Sequence, residues 1–254
     1  MQHILLIGAG RSTYSLVEYL KKHAEVEDWQ VTIADQSLDL AKGKAGSNPR
    51  MKAIAFDVND EISRVDAIAK ADLVISMLPA HMHISVATDC IALGKHMVTA
   101  SYISEEMKML DARAKEAGVV LINEIGVGPG IDHLSAMKVL DEIKSKGGKM
   151  KLFESFTGGL IAPESDNNPW HYKFTWNPRN VVLAGSGGAV KFKQEGKYKY
   201  IPYHQLFRRT EIIEIEGFGR FEGYANRDSL NYREVYGLND IPTIYRGTLR
   251  SPGF

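Results

Sequence analysis

The first half of the chain alternates continuous apolar runs with stretches of helical period. Ile4–Ile7, Val31–Asp35, Met51–Val58, Asp72–Pro79, His96–Ala100 and Val119–Ile122 read as strands. Between them, a helical pattern after Ser12 (Leu16, Val17, Tyr19, Leu20), then Leu38–Lys44, Asp60–Ala69, His83–Leu93 and Ser104–Ala117, read as helices. Ser104 suits an N-cap with Met107 at its third helical position, and Gly118 suits the stop. Strands apolar throughout their length, each followed by a helix, predict a parallel sheet covered on both faces. Six of them make a doubly wound α/β (Rossmann) domain, assigned to residues 1–124.

From Gly126 the texture changes. Gly126–Gly130 is rich in breakers, and Ile131–Asp132–His133 opens a helix to about Ile143. Beyond Gly147–Gly148 the chain turns strand-rich, with Met150–Thr157, Val181–Ala184, Ala189–Phe192, Ile212–Ile215 and Phe221–Tyr224 separated by glycines and prolines. Residues 125–254 are therefore expected to form an α+β substrate domain built on a mainly antiparallel sheet. No internal repeat or low-complexity tract interrupts either half.

Candidate chemistry begins at the first strand. Gly8–Ala9–Gly10–Arg11–Ser12 follows it and leads straight into a helix. A helix start presents N–H groups and a positive dipole end that suit a diphosphate. Gly8 would permit the tight turn and Gly10 the close approach of phosphate, although two glycines also occur at ordinary packing corners. The fingerprint's third glycine is replaced by Thr13. Asp35 closes the second strand, where a carboxylate accepts hydrogen bonds from a ribose 2′-hydroxyl and repels a 2′-phosphate. No arginine follows in Asp35–Gln36–Ser37, so the pattern favours NAD over NADP; Asp35 as a turn residue or helix cap is the competing reading. Asp57–Val58 and Leu78–Pro79 also follow strands and are candidates to flank the adenine and the nicotinamide ribose. Val127 joins the cofactor-side candidates.

Composition narrows the partners. Lys+Arg and Asp+Glu both number 31, which argues against nucleic acid or an anionic membrane recruited by bulk charge. Cys90 is the one cysteine, so no internal disulfide framework exists, and a small buried helical side chain is the expectation. No apolar run approaches a membrane span, and the chain opens directly on a strand. A soluble cytoplasmic protein, working as a homodimer on a small molecule, is expected.

Several blocks carry a family resemblance. Ala100–Ser104, Asn123–Gly126, Pro129–His133, Gly158–Glu164, Tyr172–Trp176, Asn226–Ser229 and Arg246–Arg250 together resemble the glutamate-forming saccharopine dehydrogenase (saccharopine reductase) family, in the family's order and across nearly the whole chain. The resemblance implies an NAD(P)-dependent oxidoreductase of lysine metabolism. Such an enzyme acts on the CH–NH bond of saccharopine to give L-glutamate and aminoadipate semialdehyde. It implies Arg227 as the leading carboxylate clamp, then Thr248 and Arg250, with Ser101 and Tyr102 reaching in from the cofactor side. An ion pair with Asp228 is the structural alternative for Arg227. Tyr102 is the catalytic candidate, polarising the amine or a water. The family's chains run on beyond the Arg246–Arg250 block, so the second domain is expected to be incomplete at its C-terminus.

The chain departs from the pattern at Gly128, where the family has Asp, at Thr157, where Cys is frequent, and at Asp35–Gln36, where NADP users carry Arg. Related readings are a carboxynorspermidine synthase-like imine reductase, or a dinucleotide-binding sensor without turnover. Asp132 and His133 are read as helix-start residues rather than catalytic ones. His81 and His83 have no further ligand at metal spacing and read as surface histidines; no metal is expected. Trp170, His171, Tyr172 and Trp176 form an aromatic cluster suited either to a pocket wall or to core or dimer interface.

Overall fold

A computed structural model of the protein describes residues 1–183 and 188–254, the side chains of residues 180 and 183 apart. The chain divides into two compact units, Met1–Ile131 and Asp132–Phe254. The first carries six strands: β1 (Gln2–Ile7), β2 (Trp29–Asp35), β3 (Met51–Ala55), β4 (Leu73–Ser76), β5 (His96–Thr99) and β6 (Leu121–Ile122). All pair in parallel, in the order β3-β2-β1-β4-β5-β6. The order reverses between β1 and β4, the position at which a doubly wound sheet opens a crevice.

Both faces of this sheet are buried, which explains the continuous apolar runs. Ile4 and Leu6 pack with Val17 and Leu20 of α1 (Tyr14–His23) and Ala41 of α2 (Leu38–Ala45). Leu5 and Ile7 face the other way, toward Ile68 of α3 (Glu61–Ala69) and Val86, Ala87 and Cys90 of α4 (His83–Ala92). Each fully buried Leu or Ile contributes about 1.5–3 kcal/mol relative to exposure. Cys90 is buried there, and desolvation pushes its thiol up to about 12.

The segment expected as one helix from Ser104 is two, α5 (Glu105–Met109) and α6 (Asp111–Glu116). Ser104 caps the first, its Oγ accepting from Met107 N at 3.1 Å. At Leu110 the backbone tightens, its N–H reaching Met107 O at 3.1 Å, and Met107, Leu110 and Ala114 all stay in the core. The third strand stops at Ala55 because Asp57 turns the chain, its Oδ1 accepting from Asn59 N at 2.9 Å.

In the second unit, α7 (Ile131–Ser145) precedes β7 (Leu152–Thr157), α8 (Pro178–Leu183), β8 (Val190–Gln194), β9 (Lys197–Ile201), α9 (Tyr203–Leu206), β10 (Glu211–Ile215), β11 (Gly219–Ala225) and β12 (Thr243–Arg250). The sheet runs β10-β11-β12-β8-β9, with β7 on the other edge of β12. Every pair but β7–β12 is antiparallel. Val181–Leu183 is helix, not the expected strand, because Pro178 at the helix start and Asn177, whose Oδ1 accepts from Arg179 N at 3.0 Å, set an N-terminus there. Residue 184 of that expected strand lies outside the described residues.

β12 is the hub. Ile244 packs in one core with Leu140, Phe153 and Tyr236, while Tyr245 points to the other, with Phe192 and Ala225. Gly247 and Gly223 form a slot for the Phe156 ring, which a Cβ at either position would strike. Arg246 is buried in this strand, paired with Asp132 at 3.0 Å and lying over the Tyr232 ring at 4.1 Å.

Candidate functional site

The turn after β1 is built around two glycines with different tasks. Gly8 has φ +106, and a Cβ there would lie 2.9 Å from the Met77 carbonyl oxygen. Only glycine relaxes into that corner. Gly10 has an ordinary φ of −64, and the space where its Cβ would project is open. That open cradle at a helix start, at the switch point of the sheet, fits a dinucleotide diphosphate. Arg11 and Ser12, both exposed, form the first turn, a 3-10 turn that runs into α1. Thr13, in place of the third glycine, is buried, and its hydroxyl donates to Gly10 O at 2.7 Å. The hydroxyl thus locks the turn that the missing glycine would have left free.

Asp35 braces the same turn. Its Oδ2 accepts from Ala9 N at 2.7 Å and its Oδ1 from Ser37 N at 2.8 Å. Each oxygen keeps a second lone pair for a hydroxyl donor. Gln36 donates to Asp57 Oδ1 at 3.3 Å. Hydrogen bonds from Asn59 and Gln36 hold the exposed Asp57 carboxyl below the usual range. The edge that would meet the adenosine ribose therefore carries two carboxylates, Asp35 and Asp57. Ala9 and Val58 have buried side chains and offer main chain at this edge. Leu78 packs partly against the core, Pro79 is exposed, and Val127 is 67% exposed.

His83 overturns the expectation of a surface histidine. It is 3% exposed, at the start of α4, with Nδ1 2.8 Å from Ser76 Oγ and Nε2 2.7 Å from Ser101 Oγ. Its signal was in the sequence: His83, Val86, Ala87, Cys90 and Ile91 form one helical stripe, and all are buried. Burial, with a smaller contribution from His81, brings its pKa down to about 4. Acid stability should follow. Above about pH 6.5 neither folded nor unfolded ring is charged. Between there and about 4 the unfolded ring takes up a proton that the folded one refuses, so stability falls with pH. The loss should be about 2 kcal/mol, partial screening keeping it below the full linkage value. Melting temperature against pH should show this slope in the wild type, and His83→Gln should flatten it.

Ser101 is half-buried after β5, and Tyr102 beside it is 52% exposed. Glu124, at φ +61, holds this loop: its Oε1 accepts from Ile103 N and its own N–H donates to Ser101 O, both at 3.0 Å. These residues belong to the first unit, and the other substrate candidates to the second.

There, a cavity of about 340 Å³ brings together Arg227, Thr248 and Arg250. Such a volume suits a small-molecule ligand. Its walls include Tyr172, Trp176, Tyr224 and Phe254. The Arg250 guanidinium lies 5.2 Å from the Tyr172 ring centre and 4.9 Å from that of Phe254. Its Nε is buried with no hydrogen-bond partner, a donor that an anionic acceptor would satisfy. Burial raises the phenol pKa of Tyr224, an effect that the Arg250 charge and Thr248 oppose. Arg227 sits at φ +24, a strained conformation of the kind found at binding sites. The ion pair of Asp228 is with Lys191, at 3.6 Å. The aromatic cluster is split: Tyr172 and Trp176 line the cavity, whereas Trp170 is 67% exposed and His171 bonds Asp166 at 2.7 Å. Phe254, Tyr203, Phe207 and Tyr224 went unread because no local pattern links residues so far apart in the chain.

Among the described residues no three His, Cys, Asp or Glu side chains gather to hold a metal ion, and no helix is long and apolar enough to cross a membrane. Two family models match: the saccharopine dehydrogenase NADP binding domain over residues 4–122, and the saccharopine dehydrogenase C-terminal domain over 126–254. A saccharopine dehydrogenase [NADP(+), L-glutamate-forming] from Schizosaccharomyces pombe is 42% identical over 254 residues, all of this chain and 56% of its own. The protein of the same name from Pyricularia oryzae is 40% identical over 99% of this chain and 55% of its own. The solved apo structure of saccharopine dehydrogenase (L-Glu forming) from Saccharomyces cerevisiae superposes with a TM-score of 0.90 at 36% identity, over 100% of this chain and 56% of that one. The chain thus spans about half the length of the relatives it matches. With both halves matched in order and the two-sheet architecture reproduced, the chain belongs to the saccharopine dehydrogenase family.

Proposed function

We propose that the protein oxidises saccharopine at the carbon bearing its secondary amine, with a nicotinamide dinucleotide, and releases L-glutamate and aminoadipate semialdehyde. One observation carries this reading: Arg227, Thr248 and Arg250 line a single cavity of ligand size. Saccharopine bears three carboxylates, and guanidinium groups pair with carboxylates in a bidentate way that lysine cannot match. Arg227 and Arg250 would clamp the carboxylates, with the Arg250 guanidinium lying over the Tyr172 and Phe254 rings. Thr248 and Tyr224 would supply hydroxyls beside them.

A bound dinucleotide would supply the hydride acceptor. Gly8, Gly10, Arg11 and Ser12 would hold its diphosphate, and Asp35 its adenosine ribose. Ser101 and Tyr102 follow β5 at the carboxyl ends of the strands. Tyr102 is our candidate to hydrogen-bond the amine or the water that hydrolyses the imine. Two carboxylates and no arginine at the end of β2 support NAD, although the named relatives are NADP(+) enzymes.

The test follows absorbance of the reduced nicotinamide with saccharopine and either dinucleotide. Turnover with a higher kcat/KM for NAD is expected, and Asp35→Ala with Gln36→Arg should shift the preference toward NADP. Turnover with NADP alone would overturn the role of Asp35 but keep the reaction. Dinucleotide binding without saccharopine turnover would overturn the reaction itself.

A further inference from the structure

The buried imidazole beneath the β5 loop is met by three hydroxyls. Ser76 Oγ lies against Nδ1, while Ser101 Oγ at 2.7 Å and Thr99 Oγ1 at 3.3 Å both face Nε2. A neutral imidazole has one donor and one acceptor nitrogen. Thr99 Oγ1 also receives the Ser101 main-chain N–H at 3.2 Å, which ties it to the same loop. With Nε2 as the acceptor, its lone pair takes the short Ser101 hydroxyl bond and Nδ1–H donates to Ser76. The Ser101 hydroxyl hydrogen then points inward to the ring, and its oxygen keeps its lone pairs for an outside donor. Glu124 fixes the surrounding backbone through Ile103 N and Ser101 O. Nothing else in the loop needs to move for this edge to accept a hydrogen bond.

We propose that His83 is a positioning residue that makes Ser101 an obligatory acceptor, selecting an N–H donor on the bound molecule. This rests on the dehydrogenase reading above. Two bound groups could supply that N–H: the carboxamide of the nicotinamide, or the amine of the substrate. The chain's own part is the same in both cases. Ser101 touches the ligand, and His83 acts through Ser101.

The test compares His83→Asn with His83→Gln. Asparagine reaches only the Nδ1 position and keeps the Ser76 contact; glutamine reaches the Nε2 position and keeps the Ser101 contact. Both remove a buried ring and should lower the melting temperature alike. His83→Asn should weaken the affected constant about tenfold, as Ser101→Ala does, and His83→Gln by less than about threefold. A loss in dinucleotide affinity, absent with an acetylpyridine analogue that lacks the amide N–H, assigns the carboxamide. A rise in saccharopine KM at unchanged dinucleotide affinity assigns the substrate amine. Either outcome supports the proposal. Equal losses for both variants that track melting temperature would overturn it.

A second readout needs no ligand and no His83 variant. In 15N-histidine spectra of the unliganded protein, His83 should be the Nδ1–H tautomer, with its Nε2 signal moved by Ser101→Ala. An Nε2–H tautomer, or an Nε2 signal indifferent to Ser101→Ala, sinks the relay. A wild type that binds no dinucleotide sinks the enzyme reading instead, and leaves the spectra to judge the relay.

Discussion

Replacing Arg227 with alanine should raise the KM for saccharopine about 100-fold and leave dinucleotide affinity within about twofold. A hydrogen-bonded charge pair is worth roughly 1.5–3 kcal/mol, and removing one partner strands the substrate's carboxylate as well. Because Arg227 is itself exposed, folding stability should change by less than about 0.5 kcal/mol. Arg227→Lys should recover only part of the loss, since an ammonium cannot form the two parallel bonds. Steady-state kinetics beside a dinucleotide titration separates these effects. An unchanged KM would remove Arg227 from the substrate site and leave Arg250, with its partnerless Nε, as the remaining clamp.

Gly8→Ala and Gly10→Ala should fail in different ways. At Gly8 the φ of +106 and the Met77 carbonyl oxygen 2.9 Å from a new Cβ act together. The expected cost is about 2–4 kcal/mol, since strained backbone alone accounts for about 1–3. That loss corresponds to a fall in melting temperature of roughly 4–16 °C. At Gly10 the backbone is ordinary and the Cβ meets nothing, so the fold should be untouched. Its methyl would stand in the open cradle, and dinucleotide affinity should fall at least about tenfold, the equivalent of one lost hydrogen bond or more. Calorimetry with and without dinucleotide reads both at once. A Gly10→Ala protein that binds as well as wild type would mean that the phosphates do not approach here.

The parallel sheet was legible because its inner strands β1, β2 and β4 are largely shielded on both faces, which writes an apolar run into the sequence. The glycine turn was legible for the same local reason. β12 was not recognised as the central strand, because Thr243–Arg250 contains two arginines and a glycine. Of the partners that make a buried Arg246 acceptable, Asp132 lies 114 residues away and Tyr232 sits outside the strand altogether. Val181–Leu183 looked like a strand by composition, and its helix is set instead by Asn177 and Pro178 just before it. His83 is masked in the sequence by its neighbour: His81, two residues away, is exposed, whereas His83 lies on the apolar stripe of its helix. At the candidate substrate site the charged residues stood out, whereas the aromatic walls come from four separate stretches between Tyr172 and Phe254.

The hub position of β12 also sets the timetable of the second unit during synthesis. β7 is made about ninety residues before the strand it pairs with, and β11 and β8 also take their places on β12. Until Arg250 has left the ribosome, this sheet has no centre, and Thr248 and Arg250 cannot enter the cavity. The first unit has no such dependence, since all six of its strands lie within the first 122 residues. The nascent chain can thus complete its parallel sheet while the cavity of Arg227, Thr248 and Arg250 is still unmade, with β7 and one edge of β8 awaiting their partner.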